Sequence, residues 1–135
     1  MNIRRARKED FPQITSLARK LNLDYQGMDD DSFWVAEDGG RIAGIVALKK
    51  HADCHELCAL GVDSRRRHKG FGKKLVQALL QSADRDIYLA TIIPGFFENC
   101  GFDKTAHIPS SLKKSPEWCE GCSKELCTIM VRKRP

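Results

Sequence analysis

The stretch RRRHKGFGKKLV, residues 65–76, sets two glycines between a cluster of cations and an apolar series at helical spacing. The first amides of a helix lack an intrahelical acceptor, and the positive end of the helix dipole lies there. A flexible, cationic helix mouth therefore suits an anion, most often a phosphate. Two familiar phosphate loops are excluded. The G-x-G-x-x-G pattern needs glycine where Leu75 stands, and the G-x-x-x-x-G-K-S/T loop needs glycine at Arg67 and Ser or Thr at Lys74. What fits is R/Q-x-x-G-x-G/A, as Arg67-His68-Lys69-Gly70-Phe71-Gly72. A second group is the cysteine series of PEWCEGCSKELC. Cys119, Cys122 and Cys127 have knuckle-like spacing for zinc, with Cys100 or His107 open as a fourth ligand. Free thiols near a strand start, or a redox-labile pair, are the other readings. Cys54 and Cys58 read as packing residues, and His55, His68 and His107 as solvent-exposed ones.

These groups need elements to position them. NIRRA reads as a first strand. Phe11, Ile14, Leu17, Ala18 and Leu21 then fall at helical spacing, with Pro12 tolerated in the first turn and an end near Asn22. FWVAED and RIAGIVALKK read as two strands joined at Gly39-Gly40, a two-residue hairpin signal. HELCALGVD is a third apolar strand that runs directly into the glycine stretch. Leu75, Val76, Leu79, Leu80 and Ala83 mark one helix face beyond it. DIYLATII predicts a strand, Pro94 opens a short helix that stops at Gly101, FDKTAHI predicts a strand, and ELCTIMVRK closes the chain as another. The segment PSSLKKSPEWCEGCSK reads as irregular. Strands outnumber helices, and a hairpin region precedes a β-α-β-α-β half, so the class is α/β (α+β), a mixed sheet with helices packed on it.

Composition narrows the function. The chain has 135 residues, suited to one domain, with 41% apolar and 30% charged residues. No apolar run approaches the ~20 residues of a membrane span, and MNIRRARKED lacks the apolar core of a secretory signal. The expectation is therefore a cytoplasmic protein with no membrane partner and reduced cysteines. The formal charge of +5 is spread over separate short clusters, with acidic residues between them and few aromatics to stack bases. That distribution argues against nucleic acid and for one anionic small-molecule site.

Taken together, these stretches resemble the GNAT superfamily of N-acetyltransferases over nearly the whole chain. IRRARKEDFPQITSLARKL is similar to the family's opening strand and helix, FWVAEDGGRIAGIVAL to its central hairpin, and ELCALGVDSRRRHKGFGKKLVQALL to its acyl-CoA motif. PGFFENCGF is similar to the late helix before the next strand. The resemblance implies a single domain over 1–135: strand, helix and hairpin in 1–62, an acyl-CoA-binding half in 63–108, and a cysteine-containing tail with the closing strand in 109–135. It also implies a mostly antiparallel sheet of six to seven strands, about four flanking helices, and a splay between the fourth and fifth strands. Within the superfamily, PGFFENCGF and the cysteine-bearing tail are similar to short amino-acid N-acetyltransferases related to N-acetylglutamate synthase.

On that resemblance, the backbone from Arg67 through His68, Lys69, Gly70, Phe71 and Gly72 to Lys73 would hold the pyrophosphate of acetyl-CoA. Gly70 and Gly72 leave room for the phosphates to approach the amides. The backbone of Leu60, Gly61 and Val62 would pair with the pantetheine arm as an added strand. Close approach of another group, or a bulge, would explain a glycine in the strand at 61. Glu56 stands where several family members carry the base that strips an ammonium of its proton. Phe97 stands where many carry a tyrosine acid, so leaving-group protonation falls to water or to an unplaced Tyr25 or Tyr88. The implied activity is transfer of an acetyl group from acetyl-CoA to a primary amine, a free amino acid or similar small amine, by a monomer or homodimer. The competing reading is a CoA-binding or zinc-bearing interaction module without transfer activity.

Overall fold

The protein is described by a computed structural model over residues 2–66, 70–113 and 128–133. The described chain divides into two units, Met1–Lys49 with Leu57–Ser82, and Lys50–Glu56 with Ala83–Pro135.

In the first unit, the apolar spacing from Phe11 produces helix α1 (Phe11–Lys20), which buries Ile14, Leu17 and Ala18. Burying side chains of this size contributes ~1.5–3 kcal/mol each for the larger ones. The helix ends in a Schellman motif. Leu23 donates to the Ala18 carbonyl and Asn22 to that of Arg19, while Asn22 takes the left-handed conformation (φ 58°). Strand β1 (Asn2–Arg5) pairs antiparallel with β2 (Ser32–Asp38), which pairs antiparallel with β3 (Arg41–Lys50). Gly39 and Gly40 both have positive φ (59° and 78°), which the two-residue turn requires.

The register explains why β3 is an almost unbroken apolar run. Val35 lies opposite Ile45 and faces α1 together with Phe33 and Ala47. Trp34 and Ala36, opposite Val46 and Gly44, take the other face. There helix α2 (Phe71–Gln81) lies close: a Cβ on Gly44 would stand 3.0 Å from Leu75 Cδ1. A strand covered on both faces has no polar side to show in its sequence.

Strand β4 (His55–Val62) contributes to both units, His55 and Glu56 to the second and Leu57–Val62 to the first. In the second unit, β4 pairs parallel with β5 (Ile87–Thr91) at His55–Ile87 and Glu56–Tyr88. Among the described residues that ladder stops there, in keeping with the expected splay. Strand β5 pairs antiparallel with β7 (Thr128–Arg132), which also pairs with the short β6 (Asp103–Lys104). The ladder order is β1-β2-β3-β4-β5-β7-β6, mostly antiparallel. With α3 (Pro94–Glu98) and α4 (Ser110–Lys113), the described residues hold seven strands and four α-helices, as expected.

Two local expectations change. FDKTAHI is a strand only at Asp103 and Lys104, because the Thr105 hydroxyl accepts the His107 amide and turns the chain away. The segment expected to be irregular opens with α4, where the Asp53 carboxylate accepts the Ser111 amide (3.4 Å) and Leu112 is fully buried. Among the described residues no helix is long and apolar enough to cross a membrane.

Candidate active site

Glu56 is buried near the start of β4 despite its charge. A carboxylate in that position needs partners, and the connection from β3 supplies one. The His51 amide donates to the Cys54 carbonyl (2.9 Å), closing a tight turn that sets the His51 ring beside the strand. His51 Nε2 lies 2.8 Å from Glu56 Oε1, with the two side chains 12% and 10% exposed. The pair joins a proton acceptor to a titratable donor within one short segment.

The neighbouring groups are inert by comparison. Burial, then the charge of Asp53, pushes the Cys54 thiol up to about 12, so it stays protonated and packs against Tyr88, Leu112 and Val131. His55 is not exposed as expected. Its ring is buried, burial lowers its pKa, and Nδ1 has no hydrogen-bond partner among the described residues. His107 is exposed and meets the Tyr88 ring edge-on, while His68 lies outside the described residues.

Farther along β4, Leu60, Gly61 and Val62 are half-buried. Ala59 before them has left-handed backbone (φ 53°), which costs a non-glycine residue ~1–2 kcal/mol. The strand's irregularity therefore sits at Ala59, not at Gly61. Gly61 is small for another reason. A Cβ there would stand 2.4 Å from Leu23 Cδ1 and 2.8 Å from Leu21 Cδ1, so the segment that leaves α1 lies directly on the strand. That segment also carries Tyr25, whose hydroxyl donates to Asp31 (2.7 Å), accepts from the Cys58 thiol (3.7 Å), and whose ring lies under the Lys49 ammonium (5.0 Å). Burial, then Cys58, pushes the phenol well above its ordinary range.

The turn after β4 is built by Asp63, whose carboxylate accepts the Arg65 amide (3.1 Å) and is held below its usual range by it. Arg66 donates to Asp38 (2.8 Å), so this cation is engaged within the protein. Arg67, His68 and Lys69 lie outside the described residues. Gly70 caps α2 with φ 78°, and a Cβ there would meet nothing within 4 Å. The first intrahelical bond runs from the Lys74 amide to the Gly70 carbonyl (3.2 Å), so the amides of Phe71, Gly72 and Lys73 precede the helix's own ladder. Phe71 is buried and anchors the helix start, while Lys73 is exposed. Unladdered amides under a glycine cap with open space fit a diphosphate, the group that acetyl-CoA would present.

Phe97 is buried with its ring edge-on to Phe96 (5.0 Å) and Phe102 (5.8 Å), a core residue with no proton to give. Cys119, Cys122 and Cys127 lie outside the described residues, and among the described ones no group of three His, Cys, Asp or Glu could hold a metal. Sequence reasoning singled out Glu56 and the loop as candidates but not His51, which lies five positions ahead of Glu56 across a turn and leaves no periodic trace.

The chain matches the Acetyltransferase (GNAT) family over residues 1–102. It is 34% identical to rat N-acetyltransferase family 8 member 2 over 98 residues, 62% of this chain and 43% of the relative. It is 40% identical to human N-acetylaspartate synthetase over 63 residues, 45% of this chain and 21% of that one. The chain thus spans less than half the length of these curated relatives. Among solved structures it superposes on N-acetylglutamate synthase from Neisseria gonorrhoeae complexed with coenzyme A and N-acetyl-glutamate, with TM-score 0.81 and 23% identity, covering 99% of this chain and 35% of that one. Rv2747 from Mycobacterium tuberculosis, in complex with CoA, gives TM-score 0.76 and 22% identity, with 100% of both chains covered. The glycine-capped helix that follows β4 and the family match over 1–102 agree: this chain belongs to the GNAT acetyltransferase family.

Proposed function

We propose that the chain transfers an acetyl group from acetyl-CoA to the primary amine of a free amino acid or similar small amine. The observation that carries this reading is the Glu56–His51 pair, a nearly buried carboxylate held at 2.8 Å on the strand that leads to the glycine loop. An alkyl amine is mostly ammonium at pH 7 and must lose a proton before it can attack. Glu56 takes that proton directly or through water, and His51 fixes the carboxylate that receives it. Acetyl-CoA supplies the electrophilic thioester. The backbone of Leu60–Val62 would orient its arm, and the amides of Gly70–Lys73, with Arg67, His68 and Lys69, would hold its diphosphate. As the N–C bond forms, the C–S bond breaks and CoA leaves as a thiolate. A thiol near pKa 8–9 leaves tolerably without a strong acid, which suits a chain with phenylalanine at 97.

Release of free CoA thiol across a panel of small amines tests the proposal. Thiol release that depends on an amine and is lost in Glu56→Gln supports it. Acetyl-CoA binding with no release for any amine would favour a binding module, the reading that Phe97 alone recommends.

A further inference from the structure

We propose that Asp53 is a positioning residue: it fastens the turn ahead of β4 to α4 and so holds the His51 imidazole against the Glu56 carboxylate. This inference deepens the acetyl-transfer reading above and rests on it. Every group it invokes lies in the second unit.

The turn is not held by its own sequence. HADC, residues 51–54, has neither glycine nor proline to set its backbone, and Ala52 and Asp53 are exposed. Its internal bond, from the His51 amide to the Cys54 carbonyl (2.9 Å), closes the turn without fixing where it lies.

Three outside contacts fix it. Asp53 Oδ2 accepts the Ser111 amide in the first turn of α4 (3.4 Å). Cys54, 1% exposed, clusters with the fully buried Leu112 of the same helix. Arg85, ahead of β5, donates Nη1 to the Ala52 carbonyl (3.5 Å). Adjacent residues of the turn thus meet adjacent residues of α4, which lie 58 positions away in the chain.

The contacts differ in kind. Apolar packing is non-directional, so Cys54 and Leu112 keep the turn on α4 without setting its rotation. A hydrogen bond is directional, and Asp53 supplies one. The Ser111 hydroxyl, then the Ser111 amide and the Cys54 thiol, hold its carboxylate below the usual range, so it serves as a charged acceptor. His51 stands at the other end of the same turn, 2.8 Å from Glu56. A rotation that Asp53 permits therefore moves the ring off the base, and small misplacements of a catalytic group are costly.

The test compares Asp53→Ala with Asp53→Asn, which keeps an acceptor oxygen for the Ser111 amide. Protein labelled at histidine is used, and His51→Ala identifies the His51 ring signals. Asp53→Ala should shift those signals and lower kcat/KM for thiol release about two- to tenfold, the effect of one ordinary hydrogen bond. Asp53→Asn should restore both. In a His51→Ala background, Asp53→Ala should add no further loss, because it acts through that ring. Ring signals unmoved by Asp53→Ala, an asparagine variant as impaired as the alanine one, or a full further loss without His51 would overturn the proposal and leave Asp53 as a cap of α4. The ring signals need no turnover, so they report on the turn alone, while Glu56→Gln reports on the base. Unmoved signals with release lost in Glu56→Gln would sink this proposal alone, whereas normal release by Glu56→Gln would sink the catalytic reading and this role with it.

Discussion

Removing His51 should cost catalysis more than folding, and the structure sets the scale. The His51 Nε2–Glu56 Oε1 contact is 2.8 Å, and both side chains are almost wholly covered, so water replaces a lost partner poorly. A hydrogen bond to an ionised group contributes about 1.5–3 kcal/mol net. If that energy serves to hold the base, His51→Ala should lower kcat/KM about ten- to two-hundredfold. Glu56→Gln should lower it further, with partial recovery at high pH as more of the amine is already neutral. The decisive measurement is the double-mutant cycle in kcat/KM, with thermal midpoints recorded for each variant. The double variant should be no slower than Glu56→Gln alone, a coupling of about 1.5–3 kcal/mol. Additive losses within about 0.5 kcal/mol, or a fully active His51→Ala protein, would show that the contact only packs the strand.

Gly70→Val should raise the acetyl-CoA dissociation constant tenfold or more by calorimetry, because a β-branched residue resists φ 78° and would crowd the amides beneath the cap. Gly61→Ala should lose about 1–3 kcal/mol in urea unfolding, since its Cβ would stand 2.4 Å from Leu23, and Leu23→Ala in the same background should return part of that loss. Asp10 gives a pH signature. Its bidentate pairing with Arg4 lowers its pKa from 3.8 to about 2. The folded value is the lower one, so its stabilisation is complete above about pH 4 and disappears as pH falls through about 2. Urea unfolding from pH 5 to 2 should show a shallower acid loss in Asp10→Asn than in the parent.

What could be read from sequence was whatever repeats or punctuates. The 3–4 spacing from Phe11 to Leu21 gave α1, and Gly39-Gly40 gave the hairpin, because each carries its physical cause within a few residues. The Gly70 cap was legible for the same reason, since it sits at the boundary of an apolar run, whereas Glu56 was singled out as a candidate base only by the family resemblance of the strand it opens. His51 was not, because its role depends on a turn that returns it across five residues. Nor could the sequence say why residue 61 is glycine, because the side chains that need the space, Leu21 and Leu23, come from 38–40 positions earlier. The end of β6 was obscured by a single side-chain hydrogen bond at Thr105, which competes with strand pairing without altering the pattern of apolar residues.

The left-handed turn of the backbone at Ala59 inverts the usual substitution preferences of a strand. Alanine is held there at φ 53°, a conformation that costs it about 1–2 kcal/mol. Glycine would escape that penalty but gives up about 0.5–1 kcal/mol through its freer unfolded chain, so the exchange is close to neutral. Asparagine and aspartate tolerate the same region. Valine, isoleucine and threonine, which strands otherwise favour, are the residues it excludes. A saturation library at position 59 should therefore accept the residues that strands reject and reject those that strands prefer, and the ranking would read out the backbone angle from fitness alone.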